Sequence, residues 1–447
     1  MTISKADIDR LGNLIRAEGD NISDNTLNSL QEYRTSHKDI LSLAFSMLCQ
    51  NTRKVHPSAI VTYRIKRFES IIGKLIRYPE MRFSRMWDIG GCRCILRNDN
   101  DVYKLKEIIA KEPDFEITKE YDYIKEPQKD GYKSLHLFIK HKSFDKVIEV
   151  QIRNQIDHNW ATLVEITDVL YGSKLKELGD NKDLLRFHYL LSKISELTID
   201  DKKEISIIIK KYNYFEKLSE VFSRNYIKVR RQWFEIESKS NHKFFLIETS
   251  KDNVPKIVSF RTVNEAEEQY FIVYKSRQNE NIVLTHLQTP NYNQISIAYS
   301  NYILTFHSFL TECYEILESL ILESLEQKEY FEYFRIYNLY NSLVFNHIKN
   351  LMTEIREIHI YTEENKHKKK RDKKKEKEWI ADIQKQVNQN NERSKKLSTK
   401  FKKSVPTSWF GKMTVKYITR HIEKNYQKKI KKVLAITAPK RNWRFSG

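Results

Sequence analysis

DGYKSLHLFIKHKSFDKVIEVQIR runs from Asp130 to Arg153, and its apolar residues alternate in two short runs. Side chains of a strand point to opposite faces in turn. Ser134 and His136 therefore lie opposite Leu135 and Leu137, and Glu149, Gln151 and Arg153 lie opposite Val150 and Ile152. A sheet that only covers a core would carry generic solvating residues on that second face. This one carries a histidine, an acid, an amide and a base, behind a Gly131-Tyr132 pair.

Outward from these strands, helical and strand patterns alternate. Residues 1–59 read as N-terminal helices, with Leu11, Leu14 and Ile15 at helical spacing. Ile60 to Lys66 predicts a strand, and Phe68, Ile71, Ile72, Leu75 and Ile76 predict a helix closed by Pro79. MWDIGGCRCIL predicts a strand entered through glycines. DVYKLKEIIAK predicts a helix capped by Asn100 or Asp101. A helix from about Gln155 to Leu170 ends a core spanning 60–180. The class is α+β around a mixed sheet with flanking helices.

A helical connector follows over 181–241. KFFLIETS, EQYFIVYKS and NIVLTHLQT read as three strands, with VNEAEEQ a short helix, giving a small α+β accessory domain over 242–303. Residues 304–365 read as a helical hairpin. Residues 366–447 read as a basic tail. It opens on KHKKKRDKKKEK and holds an amphipathic helix after Pro406, with Ile418, Ile422, Tyr426, Ile430 and Val433 on one stripe.

The net charge of +20 is confined to that tail. From Lys366 to Gly447 there are 27 Lys and Arg against 6 Asp and Glu; the other 365 residues hold 52 against 53. An anionic polymer or surface is thus expected to meet the tail and not the body. Cys49, Cys92, Cys94 and Cys313 are too few and scattered for a disulfide framework, and read as buried free thiols. No apolar run approaches the ~18 residues of a membrane span. The N-terminal MTISKADIDR lacks the apolar segment of a signal peptide. A cytoplasmic protein is expected.

In the 60–180 core, Arg64 and Lys66 share a strand face, and Ser70 and Lys74 share a helix face one turn apart. Asp88 precedes Gly90-Gly91, and Arg93 follows. Each feature alone has a bland reading, since RIKR is usually a solvated face and GG a bend. Together they form a cationic set with two isolated carboxylates, Asp88 and Glu149. Polyphosphate is gripped by Arg and Lys from several elements. A divalent cation is held by carboxylates. An aromatic face offers a base ~1–3 kcal/mol of stacking.

The order of these motifs, with His158, Trp160, Ala161 and Glu165 after them, resembles the synthetase domain of the RelA/SpoT family. The resemblance covers about 110 residues, to a first approximation the core alone. It implies a nucleotidyltransferase-like mixed sheet that transfers the β,γ-pyrophosphate of ATP to a ribose 3′-hydroxyl. It implies that Arg64, Lys66, Ser70 and Lys74 bind ATP, supported by Arg93, and that Asp88 and Glu149 hold Mg²⁺. Glu149, Asp88 and Arg93 form the implied catalytic set. Tyr132 would stack on the acceptor base, with His136, Gln151 and Arg153 around it.

One departure concerns the acceptor. The family commonly places a lysine four residues before the stacking tyrosine, for the acceptor's 5′-phosphates; here that position is Gln128, beside Lys129. The first functional reading is synthesis of (p)ppGpp from ATP and GDP or GTP. The second is a toxin that pyrophosphorylates the tRNA 3′-CCA end, controlled by the C-terminal region, with the basic tail binding RNA. The third is a catalytically idle sensor or scaffold, which the intact Asp88 and Glu149 oppose. A protein trigger and self-association are further partner classes compatible with the sequence.

Overall fold

The computed structural model describes residues 4–19, 21–173, 175, 179–237, 241–249, 255–275, 282–292, 294–295, 306–364, 373–404 and 408–437. In chain order the elements are α1 (Lys5–Glu18), α2 (Asp24–Thr35), α3 (Lys38–Val55), β1 (Ile60–Ile65), α4 (Phe68–Arg77), β2 (Gly90–Leu96), α5 (Asp99–Ile109), β3 (Phe115–Asp122), β4 (Leu135–His141), β5 (Val147–Asn154) and α6 (Gln155–Tyr171). Then come α7 (Lys182–Leu191), α8 (Ile199–Lys211), α9 (Tyr214–Glu237), β6 (Phe244–Thr249), β7 (Pro255–Phe260), α10 (Val263–Lys275) and β8 (Ile282–Leu287). Four helices end the chain: α11 (Phe306–Glu326), α12 (Tyr330–Glu364), α13 (Lys373–Ser404) and α14 (Trp409–Thr437). They divide into two compact units, Met1–Glu165 with Glu235–Leu304, and Ile166–Phe234 with Thr305–Gly447.

The first unit is built on one eight-stranded sheet in the order β3-β4-β5-β2-β1-β8-β6-β7. Every pairing is antiparallel except β2 with β5, which is parallel. The alternation read from the sequence holds in β4 and β5. Leu135, Leu137, Ile139, Ile148, Val150 and Ile152 are all buried in one core with Ile40, Leu41 and Phe45 of α3 and Leu105 and Ile109 of α5. The polar residues are thereby forced to the other face. A second apolar cluster joins α1, α2 and α4 through Ile15, Leu30, Ile71 and Leu75 to Phe83 and Ile89. Gly12 permits it, since a Cβ there would stand 2.7 Å from Phe83 Cβ.

The expected accessory domain at 242–303 is not separate. Its strand β8 pairs with β1, Ile60 opposite Leu287 and Tyr63 opposite Leu284. Its side chains Leu246, Tyr270, Phe271 and Leu284 belong to the main core. Tyr270 Oη accepts from the Ile65 backbone N–H at 3.0 Å, and its ring meets that of Tyr63 edge-on. Without β8, β1 would be an open edge beside the site.

Three local readings are also corrected. Of EQYFIVYKS, Glu268 to Lys275 are the C-terminal part of α10, because Ala266, Glu267, Tyr270, Phe271 and Tyr274 bury a face at helical spacing; Ser276 lies outside the described residues. PKIVSF, unread as a strand, is β7. The cap of α5 is Asn98, whose side chain accepts from the Asp101 backbone N–H.

The second unit is helical. The capping box of Thr198 and Asp201 starts α8, and α11 and α12 form the expected hairpin. The expected tail is largely packed structure. Trp379 and Ile383 of α13 join Leu351 and Ile358 of α12. The stripe of α14 lies on α12, where Tyr333 Oη meets Thr419 Oγ1 at 2.9 Å and Tyr426 Oη donates to Asn338 O at 3.2 Å. Positions 366–372 of the charge run lie outside the described residues. Among the described residues no helix is long and apolar enough to cross a membrane. The four cysteines are free and buried.

Two measurements check this architecture. Leu284 is fully buried, and Leu284→Ala should lower stability by about 2–5 kcal/mol. Hydrogen-exchange protection of β1–β5 and of 242–303 should be lost at one shifted urea midpoint, because β8 shares the core of that sheet. An unmoved midpoint for β1–β5 would separate 242–303 from it. In the second unit, burial first of all pushes the Glu354 carboxyl up to about 8, with Asp382 adding and Arg230 opposing. Folded Glu354 keeps a proton that the unfolded chain releases near 4.5. Stability should therefore fall as pH rises from about 4.5 through about 8. Melting of Glu354→Gln across that range should lack this slope.

Candidate active site

The site is assembled on the polar face of β1, β2, β5 and β4. Arg64 stands opposite Gly91, Gly91 opposite Glu149, Arg93 opposite Gln151, and Gln151 opposite His136. The path from Arg64 to His136 thus crosses β2 and β5. Gly91 leaves the space before Glu149 clear of any side chain.

Asp88 enters this face from the turn before β2. Its Oδ2 accepts from Lys66 Nζ at 2.7 Å and from Lys74 Nζ at 2.9 Å. Burial raises the carboxyl's pKa, but the two ammonium groups outweigh it and leave it below the usual value. Asp88 Oδ1 is buried and has no hydrogen-bond partner. Lys74 reaches Asp88 because it follows Ser70 by one turn of α4. The cap residue of α4, Arg67, makes no side-chain cap bond to the helix N-terminus beside Ser70. The positive end of the helix dipole at such an N-terminus favours anions.

Across the face, His136 Nδ1 lies 2.8 Å from Glu149 Oε1, and Gln151 Nε2 donates to Glu149 Oε2 at 3.2 Å. Burial disfavours the Glu149 carboxylate, yet the His136 bond and charge keep its pKa low. Burial likewise opposes the His136 imidazolium, and the bond to Glu149 with the charges of Tyr132 and Glu149 raises its pKa overall. His136 Nε2 is 2.8 Å from Tyr132 Oη. Arg153 Nη2 donates to that hydroxyl, and to Gln151 Oε1 at 2.9 Å. The Arg153 guanidinium covers one face of the Tyr132 ring, 4.8 Å from its centroid. The aromatic expected to have an open face is thus covered on one side by Arg153 and met edge-on by Tyr123 and His136.

Gly131 sets the position of Tyr132. Its φ of 91° is in the region that favours glycine, and its N–H donates to Gln128 O at 2.8 Å. Gln128 and Lys129 sit exposed in this turn. Asp130 Oδ1 accepts from the Tyr132 backbone N–H at 3.0 Å, and the Gln128 N–H donates to Tyr132 O at 3.1 Å. Among the described contacts neither the Gln128 nor the Lys129 side chain joins the cluster. Arg93 does join it electrostatically. Burial, then the charges of Arg153 and Arg64, push its guanidinium down to about 9, against the pull of Glu165. A buried guanidinium in the field of two others favours a nearby anion.

A cavity of about 580 Å³ opens beside these groups, lined by Lys74, Arg85, Trp87, Asp88, Lys119, Tyr121, Phe138 and Glu149. Five of these were missed from sequence: Arg85, Trp87, Lys119, Tyr121 and Phe138. Trp87 and Tyr121 both meet Phe138 edge-on, at 5.7 and 5.9 Å. Tyr121 also stacks with Tyr123. The missed signal was β3. One extra residue between Ile117 and Lys119 shifts its register against β4. Thr118 Oγ1 donates to Phe138 O at 2.9 Å within the bulge. Phe115 and Ile117 pack on the core, and after the bulge Lys119 and Tyr121 face the cavity.

Mg²⁺ is the cofactor implied by the sequence, and the donor set fits it. Asp88 and Glu149 line one cavity and feel each other's charge, and Asp88 Oδ1 is an uncommitted oxygen. Mg²⁺ is commonly held by one or two carboxylates with water and substrate phosphates completing its shell.

Residues 63–175 match the model of the region found in RelA and SpoT proteins. The GTP pyrophosphokinase YwaC of Bacillus subtilis (strain 168) is 32% identical over 186 residues, which are 37% of this chain and 86% of that protein. The GTP pyrophosphokinase YjbM of the same strain is 31% identical over 129 residues, 27% of this chain and 61% of that one. A crystal structure of the small alarmone synthetase 2 from Bacillus subtilis is 27% identical and covers 40% of this chain and 97% of its own, with a TM-score of 0.31. This chain belongs to the RelA/SpoT family of pyrophosphokinases.

Proposed function

We propose that the protein transfers the β,γ-pyrophosphate of ATP to the ribose 3′-hydroxyl of GDP or GTP, forming (p)ppGpp and AMP. The observation that carries this reading is the pair of carboxylates in one cavity, Asp88 with two lysines on it and Glu149 with a histidine on it. Lys66 and Lys74 exchange part of their hold on Asp88 for the triphosphate, aided by Arg64, Ser70 and the N-terminus of α4. Arg93 supports them with a charge already desolvated. Asp88 and Glu149 hold Mg²⁺, which when bound neutralises charge on the phosphate oxygens.

The acceptor lies against Tyr132 with its 3′-hydroxyl at Glu149. The 3′ oxygen bonds to the β-phosphorus, the bond from that phosphorus to the α-phosphate's bridging oxygen breaks, and AMP leaves. The hydroxyl proton passes to a Glu149 oxygen and on to solvent. His136 orients Glu149 and keeps it ionised to receive the proton. Such transfer rests on positioning and charge, with little covalent work for the protein.

A second acceptor, the 3′ end of tRNA, is favoured by two features. Gln128 and Lys129 add no cation to the cluster, and Trp87, Tyr121 and Phe138 give the cavity an aromatic lining. ATP labelled at the γ-phosphate, supplied with GDP or GTP and in parallel with deacylated tRNA, distinguishes them by which acceptor becomes labelled.

Glu149→Gln and Asp88→Asn should each reduce transfer below about a tenth of wild type at saturating Mg²⁺, because each removes a carboxylate charge from the cation's shell. Unchanged circular dichroism should accompany the loss. Residual activity above that level in either variant removes that residue from the metal site.

Tyr132→Ala should weaken acceptor use roughly ten- to a hundredfold, the equivalent of ~1–3 kcal/mol of stacking. Tyr132→Phe retains the ring and loses the hydroxyl between His136 and Arg153. It should therefore keep most of the acceptor affinity. A raised KM for ATP with an unchanged acceptor term would reverse the two half-sites.

A further inference from the structure

Helix α14 presents two different faces. One is the stripe already described: Val415 and Thr419 are buried, Ile418, Ile422, Tyr426, Ile430 and Val433 half-buried. The opposite face begins with four large apolar side chains in the open: Trp409 (73% exposed), Phe410 (75%), Met413 (56%) and Tyr417 (74%). At 100° per residue these four fall within about a 100° arc. Arg420, Lys424, Lys428 and Lys431 continue the same ridge toward the C-terminus, and Lys412 and Lys416 flank its apolar part; all six are exposed. Among the described residues no carboxylate lies within ion-pair reach of Lys412, Lys416, Arg420, Lys424 or Lys428. The helix contains eight Lys and Arg and one acid, Glu423, which accepts from Tyr337 Oη at 2.6 Å.

Folding of the second unit explains the buried stripe and leaves this ridge unexplained. Exposing four large apolar groups within nine residues carries a solvation cost that a purely solubilising helix has no reason to bear. The apolar set is Trp, Phe, Met and Tyr, flanked by Lys and Arg, which is the composition of helices lying in a membrane interface. We propose that this ridge is a docking surface for an anionic lipid bilayer. Trp409, Phe410 and Met413 enter the boundary between headgroups and acyl chains, Tyr417 sits at headgroup depth, and the basic residues meet lipid phosphates.

Two observations favour a bilayer over RNA. Base stacking needs flat rings held in a groove, whereas these side chains stand on a convex helix surface and one of them is a thioether. The apolar side chains also lie along one ridge with cations bordering and continuing it, which lets hydrophobic and charged contacts be made by a single face. The buried stripe already has α12 as its partner, so docking leaves the unit's own packing intact.

The test is sedimentation of the purified full chain with vesicles. It should pellet with vesicles of equal parts phosphatidylcholine and phosphatidylglycerol, and stay in solution with phosphatidylcholine alone. Replacing Trp409, Phe410 and Met413 together by Ser should weaken binding at least about tenfold. Lys424→Glu with Lys428→Glu should weaken it about fivefold per residue and remove its salt sensitivity in proportion. All five positions are exposed, and unchanged pyrophosphate transfer by the variants serves as the folding control. The proposal is overturned if the full chain ignores the anionic vesicles, if it binds neutral vesicles as well, or if the triple Ser variant pellets undiminished. It is equally overturned if a single-stranded ribo-oligonucleotide, and not a vesicle, binds in a manner that the triple Ser variant loses.

Discussion

The parallel pairing of β2 with β5 is the constraint on which the site depends. Parallel neighbours cannot be joined by a tight turn, so the chain inserts α5, β3 and β4 between them. That detour brings His136 to one side of β5, while β2 holds Gly91 and Arg93 on the other. A one-residue slip would turn Glu149, Gln151 and Arg153 into the core and expose Val150 and Ile152. The buried apolar face therefore sets the geometry of the polar one. Asp88, in the turn that feeds β2, inherits its place from the same register.

The cations of this face are held close together by the carboxylates among them. Lys66 and Lys74 converge on one oxygen of Asp88, and Arg93 lies in the field of both Arg64 and Arg153. Like charges that close are unfavourable in isolation, and Arg93 is desolvated as well. Asp88 offsets that repulsion between the two lysines, and Glu165 offsets part of that on Arg93, in the resting protein. In the proposed function a bound triphosphate would offset more of it, and the strain of assembling the cations would become binding energy for the ligand.

The sequence made most of this face legible because period-two alternation survives in β4 and β5. Arg64, Lys66, Lys74, Asp88, His136 and Glu149 are spaced by elements that obey their local rules. Where the reading failed, a local rule was broken or a long-range contact decided. The bulge at Thr118 interrupts alternation, which hid β3 and with it Lys119 and Tyr121. Tyr270 and Phe271 sit in a β-branched and aromatic run that resembles a strand, until burial at four-residue intervals makes it a helix. The union of β8 with β1 links residues more than 200 positions apart, and no local pattern signals it.

The C-terminal helices show the same difference between composition and structure. Their excess of Lys and Arg looked like a solvated tail, yet α13 buries Trp379 and α14 buries Val415. Hydrophobic stripes of modest width suffice because α12 already supplies a long apolar surface, and the charges stay on the outward faces at no cost to packing. A helix with one face committed to the fold is rigidly presented on the other. That rigidity lowers the entropy lost when an outward ridge meets a partner. It also means that removing residues 366–447 would uncover apolar surface on α12. Deletion would then report on the stability of the helical unit as much as on anything the positive charge binds, and substitutions confined to the exposed ridge separate the two.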